Sequence, residues 1–122
     1  MRQLAFIFIL ALFVSCKKES AEPFGKAKAK SPTVLGKELF EGKGNCVACH
    51  LKDQKVIGPS IQDIAKTYQA QNASIISFLK EQAKPIVDPS QYEVMKTNFA
   101  ITKMMSNKEL QAIEAYMYSN LK

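Results

Sequence analysis

The chain has 122 residues and a formal net charge of +6, which is enough sequence for one small folded domain. The positive charge is not spread evenly, because residues 31–122 hold eleven lysines and nine acidic residues, a net charge of only +2. Such a balanced domain lacks the continuous basic surface of nucleic-acid-binding proteins. We therefore expect no nucleic-acid partner.

Residues 1–15 are typical of a bacterial export signal. Arg2 precedes an unbroken apolar run, Leu4 to Val14, and this run is shorter than the about 20 residues that a membrane-spanning helix needs. It ends in Phe-Val-Ser-Cys, which resembles the lipobox of bacterial lipoproteins. That resemblance implies that Cys16 is lipidated and anchors the mature chain to a membrane, on the periplasmic side of the cell envelope. Cleavage without lipidation, which would leave a free periplasmic protein, is the alternative.

Residues 16–31 are predicted to be a flexible tether that begins at the lipidated cysteine. Between Lys17 and Ser31 the chain has five lysines, two glutamates and a single large apolar side chain, Phe24. Such a segment cannot bury enough apolar surface to offset the entropy lost on ordering it. The folded domain is therefore expected to span residues 32–122.

The most specific feature of the sequence is the C-x-x-C-H motif at residues 46–50. Two thiols at this spacing can form thioethers with the two vinyl groups of one haem, and the adjacent histidine can bind the iron. We expect one covalently attached haem c per chain, held by Cys46, Cys49 and His50. A thioredoxin-like motif would need a βαβ pattern, which is not found. A zinc site commonly needs four ligands, but the chain has one histidine and, in the leader, one further cysteine.

The rest of the domain is predicted to be helical, with no strand pattern. A Ser-Pro pair opens the first helix, and glycines end it just before the motif. Serine caps open the second and the last helix, followed three residues later by an acidic residue. Two prolines predict an extended loop that reaches to about Met105. A third helix is predicted over about 72–83. In chain order, the residues that carry the other predictions are Ser31-Pro32, Gly42 and Gly44, Ser60 and Asp63, Pro85 and Pro89, and Ser106 and Glu109.

Residues 33–121 as a whole resemble the class I cytochromes c, particularly the small bacterial monohaem proteins. The resemblance implies an all-α cytochrome c fold, with four or five short helices around one covalently attached haem. In that family the first and last helices cross through a glycine and two aromatic residues, which Gly36, Phe40 and Tyr116 match. A family proline whose carbonyl accepts the second N–H of the proximal histidine is matched by Pro59, nine residues after His50.

The second axial ligand of the iron is open on sequence grounds. With a single histidine, the distal position is filled by methionine or lysine, or is vacant. Similarity to the family favours Met95, in the loop before the last helix. Met104 and Met105 are the alternatives, although Met105 also fits a hydrophobic staple with Leu110 at the start of that helix. A neutral thioether ligand would raise the reduction potential of the haem.

Together these features predict a one-electron carrier of a bacterial respiratory chain and not an enzyme. We expect a monomer that exchanges electrons with an oxidase, a reductase or a quinol-oxidising complex. A fixed cytochrome subunit of such a complex is an alternative. So is a haem enzyme or gas-binding sensor with an open sixth position, but a peroxidase would need a distal base and an arginine. Beyond the leader the chain has neither a second histidine nor any arginine.

Overall fold

A computed structural model describes residues 29–122, so the predicted leader, Cys16 and most of the predicted tether lie outside the described residues. This part of the chain has no β-strand, only an isolated bridge between His50 and Lys55. It forms two short 3-10 turns, at Cys46–Ala48 and Pro89–Gln91, and six α-helices. These are α1 (Pro32–Glu41), α2 (Ile61–Ala70), α3 (Ile75–Leu79), α4 (Tyr92–Lys96), α5 (Phe99–Thr102) and α6 (Asn107–Tyr118). The all-α class is confirmed, but the expected number of four or five helices was too low.

The first and last helices pack directly against each other, as the resemblance implied. A Cβ atom on Gly36 would lie only 1.8 Å from the carbonyl oxygen of Ala112, so only glycine allows α1 to approach α6 this closely. Beside this contact, the rings of Phe40 and Tyr116 meet edge to face, with centroids 5.4 Å apart. This crossing joins the two ends of the domain and buries Phe40 completely.

The helix starts predicted from serine residues are confirmed. Ser31 and Ser60 accept hydrogen bonds from backbone N–H groups in the first turns of α1 and α2. Ser106 forms a complete capping box, in which its hydroxyl accepts from the Glu109 N–H and the Glu109 carboxylate accepts from the Ser106 N–H at 2.8 Å. These caps fix where each helix begins and therefore where its apolar face points.

The predicted third helix is much shorter than expected, since α3 covers only Ile75–Leu79. Its start is set by the Ser74 side chain, which accepts a hydrogen bond from the Ser77 N–H at 3.1 Å. At its other end Glu81 takes a left-handed conformation with φ 58°, and its N–H donates to the Phe78 carbonyl. The Gln82 N–H donates to the Ser77 carbonyl at 2.8 Å, and the two bonds together form a Schellman motif. Because Glu81 stands where glycine is usual, no residue pattern predicts this ending.

The loop expected to stay extended after Pro85 instead contains the 3-10 turn at Pro89–Gln91 and the helices α4 and α5. Pro89 stands in the first turn of the 3-10 helix, where its missing N–H is not needed. Neither α4 nor α5 contains proline or glycine. The Thr102 hydroxyl is fully buried and donates to the Leu79 carbonyl at 2.6 Å, which fixes α5 against the end of α3. Within residues 29–122 no helix has the length and apolar character required to cross a bilayer.

Candidate functional site

A largely apolar cavity lies between the helices, with about 670 Å³ of space, part of it open to solvent. The cavity brings together residues from both halves of the chain, including four of the predicted site residues, Cys46, His50, Pro59 and Met95. Its lining includes Phe40, Cys46, His50, Pro59, Ile64, Tyr68, Ile75, Phe78, Leu79, Pro85, Ile86, Val87, Tyr92, Met95, Ile113 and Met117.

The two cysteines of the motif flank a tight turn at the edge of this cavity. Asn45 enters the turn in the left-handed conformation, with φ 49°. The N–H groups of Cys49 and His50 both donate to the Cys46 carbonyl, at 3.1 and 3.0 Å. Cys46 is buried and Cys49 is half-buried, and no disulfide joins them. Burial raises the pKa of the Cys46 thiol to about 11, so in the folded chain it stays protonated at neutral pH.

His50 is held by a hydrogen bond from one of its ring nitrogens. The Nδ1 atom lies 2.7 Å from the carbonyl oxygen of Pro59. A carbonyl can only accept, so the proton must sit on Nδ1, and Nε2 keeps its lone pair for a metal. Burial lowers the pKa of His50, while the Pro59 carbonyl acts in the opposite direction. The imidazole is therefore neutral at pH 7 and has the tautomer that a haem ligand requires.

Gly58 leaves room for the His50 ring because it has no side chain, a role that the sequence did not reveal. A Cβ atom at this position would lie 2.4 Å from Cε1 of His50 and 2.8 Å from its Nδ1. The backbone of Gly58 does not use a positive φ, so its importance is purely one of space. The only available signal was its place directly before Pro59.

The methionines discussed as ligands differ sharply in position. Met95 is half-buried and lines the apolar cavity, and it also lines an adjoining cavity together with Cys46, Cys49 and His50. Met104 has 83% of its surface exposed. Met105 is 5% exposed and belongs to the same core cluster as Leu110. Neither Met104 nor Met105 lines either cavity.

An aromatic cluster forms one wall of the cavity and was not anticipated. Phe78 lies at its centre, with ring centroids 6.4 Å from Tyr68, 6.3 Å from Tyr92 and 5.3 Å from Phe99. These rings come from α2, α3, α4 and α5. They therefore join two predicted helices, α2 and α3, to the two short helices α4 and α5, which were expected to be loop. Flat, apolar ring surfaces are well suited to pack against a porphyrin.

The donor set fits a haem better than a bare metal ion. Among residues 29–122 no group of three or more histidine, cysteine or acidic side chains is placed to bind a metal. The two adjoining cavities instead offer one free imidazole nitrogen, the thioethers of Met95 and Met117, two thiols and apolar walls. These are the groups by which c-type haem is attached and ligated.

Comparison with known proteins agrees with this geometry. The model of the family described as Cytochrome c matches residues 33–120. Cytochrome c-551 of Pseudomonas denitrificans is 48% identical over 52 residues, which are 40% of this chain and 62% of that protein. The matched part thus spans less than two thirds of the length of this relative.

Proposed function

Because the chain belongs to the cytochrome c family, we propose that it is a monohaem electron carrier of a bacterial respiratory chain. Membership of this family implies a covalently attached haem c with its iron. When bound, haem c supplies reversible one-electron chemistry at its iron. In the proposal Cys46 and Cys49 carry the two thioether bonds, His50 is the proximal ligand and Met95 is the distal ligand.

The observation that carries the proposal is that Met95 and His50 line the same two cavities. The hydrogen bond from His50 to Pro59 fixes the imidazole ring and makes it a stronger donor to iron. Met95 offers a neutral sulfur, which favours the ferrous state. If His50 and Met95 both bind the iron, no position would be open to a substrate, and electron transfer to a partner protein would remain.

The cavity walls have their own part in this function. The side chains that line the apolar cavity keep water away from the cofactor site, and a low-polarity environment also favours the less charged, reduced state. The exchange partners would be a terminal oxidase, a reductase or a quinol-oxidising complex. Such redox partners usually meet through small, weak interfaces, which suits a carrier that acts as a monomer.

We place this carrier on the periplasmic side of the cell envelope, anchored by a lipid on Cys16 and separated from the membrane by the tether over residues 16–31. Cys16 and residues 17–28 of the tether lie outside the described residues. Its support is the apolar leader and the lipobox-like sequence. Fractionation of cells that produce Cys16→Ser tests it, because the variant should leave the membrane fraction. A variant that remains as membrane-bound as wild type would contradict the lipid anchor.

The decisive experiment for ligation is an absorption spectrum of the purified ferric protein. We expect the weak band at the red end of the spectrum that is characteristic of iron–sulfur ligation. Met95→Ala should abolish the band, and Met104→Ala, a matched loss of methionine at an exposed position, should retain it. Loss of the band in Met104→Ala instead would overturn the assignment of Met95. Absence of the band in wild type, with tight carbon monoxide binding to the ferrous form, would favour a haem enzyme or gas sensor.

A further inference from the structure

Asn98 connects the two segments of chain that carry the proposed ligands. Its backbone N–H donates to the carbonyl of Met95 at 2.9 Å. Its side-chain Nδ2 donates to the carbonyl of Gly44 at 3.0 Å, across 54 positions of sequence. Gly44 precedes Cys46 by two residues. One residue thus ties the backbone of Met95 to the loop that leads into the attachment turn.

The Gly44 end of this connection is rigid. Gly44 is buried, and its N–H donates to the Leu39 carbonyl at 2.7 Å, at the end of α1. A Cβ atom at this position would meet the Leu39 carbonyl oxygen at 2.8 Å and the Cys46 sulfur at 3.0 Å. The carbonyl that receives the Asn98 side chain is therefore fixed relative to Cys46, and it provides a firm reference for the position of Met95.

The other end of the methionine-bearing segment is held more weakly. There Asp88 accepts from Lys55 at 2.8 Å, but the lysine side chain is 61% exposed. Exposed ion pairs contribute little and are screened by salt. The Asn98 bond is partly buried and joins uncharged groups, so salt does not weaken it. Among the described residues, Asn98 is therefore the main polar link between the segment that carries Met95 and the attachment loop.

We propose that Asn98 is a positioning residue that holds Met95 within reach of the iron through its bond to Gly44. The inference rests on the proposed function, because it presupposes that Met95 is the distal ligand. Without the bond, α4 can move away from the attachment loop while the rest of the fold stays in place. The sulfur then leaves the iron more easily, and external ligands can replace it.

The test compares two asparagines that make the same kind of bond. Asn120 also donates its side-chain Nδ2 to a backbone carbonyl in a partly buried setting, to Tyr116 at 2.7 Å, but near the end of the chain. Asn98→Ala and Asn120→Ala should therefore lose similar amounts of stability in denaturant titrations. Only Asn98→Ala should weaken the red band of the ferric protein. It should also bind cyanide about five- to tenfold more tightly, as expected when the displaced methionine is held by one hydrogen bond fewer.

A second variant guards against a general packing defect. Asn98→Asp keeps the size of the side chain, but its carboxylate cannot donate to the Gly44 carbonyl, so it should reproduce the cyanide effect. Equal cyanide affinities in the Asn98 and Asn120 variants would overturn the positioning role. If Met95→Ala abolishes the band while the Asn98 variants behave like Asn120→Ala, this inference alone fails. If Met95→Ala retains the band, the ligand assignment fails as well.

Discussion

The contact between Gly58 and His50, the proposed proximal ligand, makes Gly58→Ala the most informative single substitution. The added Cβ atom would lie 2.4 Å from Cε1 of His50. Ordinary carbon–carbon contacts are about 3.5–4.0 Å, so the ring or the backbone must move by about 1 Å. The bond from His50 to Pro59 is only 2.7 Å long, and a displacement of this size breaks it.

The cost of Gly58→Ala follows from these two effects. Forcing an extra carbon into a filled site typically costs about 1–3 kcal/mol, and loss of the Pro59 hydrogen bond adds about 1 kcal/mol. We expect the free energy of unfolding to fall by about 2–4 kcal/mol in total. The reduction potential should rise, because an imidazole that no longer donates from Nδ1 is a poorer electron donor to ferric iron.

Denaturant unfolding of the haem-loaded protein, followed by circular dichroism and haem absorbance, measures the first effect, and spectroelectrochemistry measures the second. Gly36→Ala is the matched control, because its Cβ atom would clash with the Ala112 carbonyl in the α1–α6 contact and not with the histidine. The control should lose stability and keep its potential. A Gly58→Ala protein with wild-type stability and potential would refute the view that this glycine makes room for the ring.

Two further predictions concern the start of α6 and the hydrogen bond between α5 and α3. The hydrogen bond from Lys43, together with those from the N–H and hydroxyl of Ser106, lowers the pKa of Glu109 from 4.5 to about 2. The stabilising effect of the Glu109 carboxylate is therefore complete above pH 4.5 and is lost as the pH falls towards 2. The melting temperature of Glu109→Gln should depend less on pH in this range than that of wild type. A parallel decline in wild type and variant would contradict this. Thr102→Val keeps the shape of a fully buried side chain but leaves the Leu79 carbonyl without its donor, and chemical denaturation should show a loss of about 1–3 kcal/mol. A change below about 0.5 kcal/mol would mean that the carbonyl finds another partner.

Sequence reasoning succeeded where the physical signal is local. The starts of α2 and α6 were identified because a capping serine and its acidic partner are three residues apart, and the start of α1 because Pro32 directly follows Ser31. The neighbouring positions of Cys46, Cys49 and His50 are likewise a property of one short stretch of chain. The Gly36 crossing and the Pro59 bond came from family resemblance, because no local pattern specifies either contact.

Sequence reasoning failed where tertiary contacts decide the structure. The helices α4 and α5 are only five and four residues long, too short to be stable alone. They exist because Phe99 and Tyr92 pack against Phe78, and because Thr102 bonds to α3. The Gly58 contact and the Asn98 bond join positions whose proximity only the folded chain creates. Local sequence patterns carry no information about them.

The crossing of α1 and α6 also has a consequence for the order of biosynthesis. The two helices lie at opposite ends of the domain, so the central contact cannot form until α6 is available. Until then the chain lacks the contact that joins its first and last helices. During that interval both thiols of the motif are accessible, whereas the folded state buries Cys46 and keeps it protonated. We expect the maturation machinery to recognise the nascent, unfolded segment, and the completed fold to be a poor substrate for it.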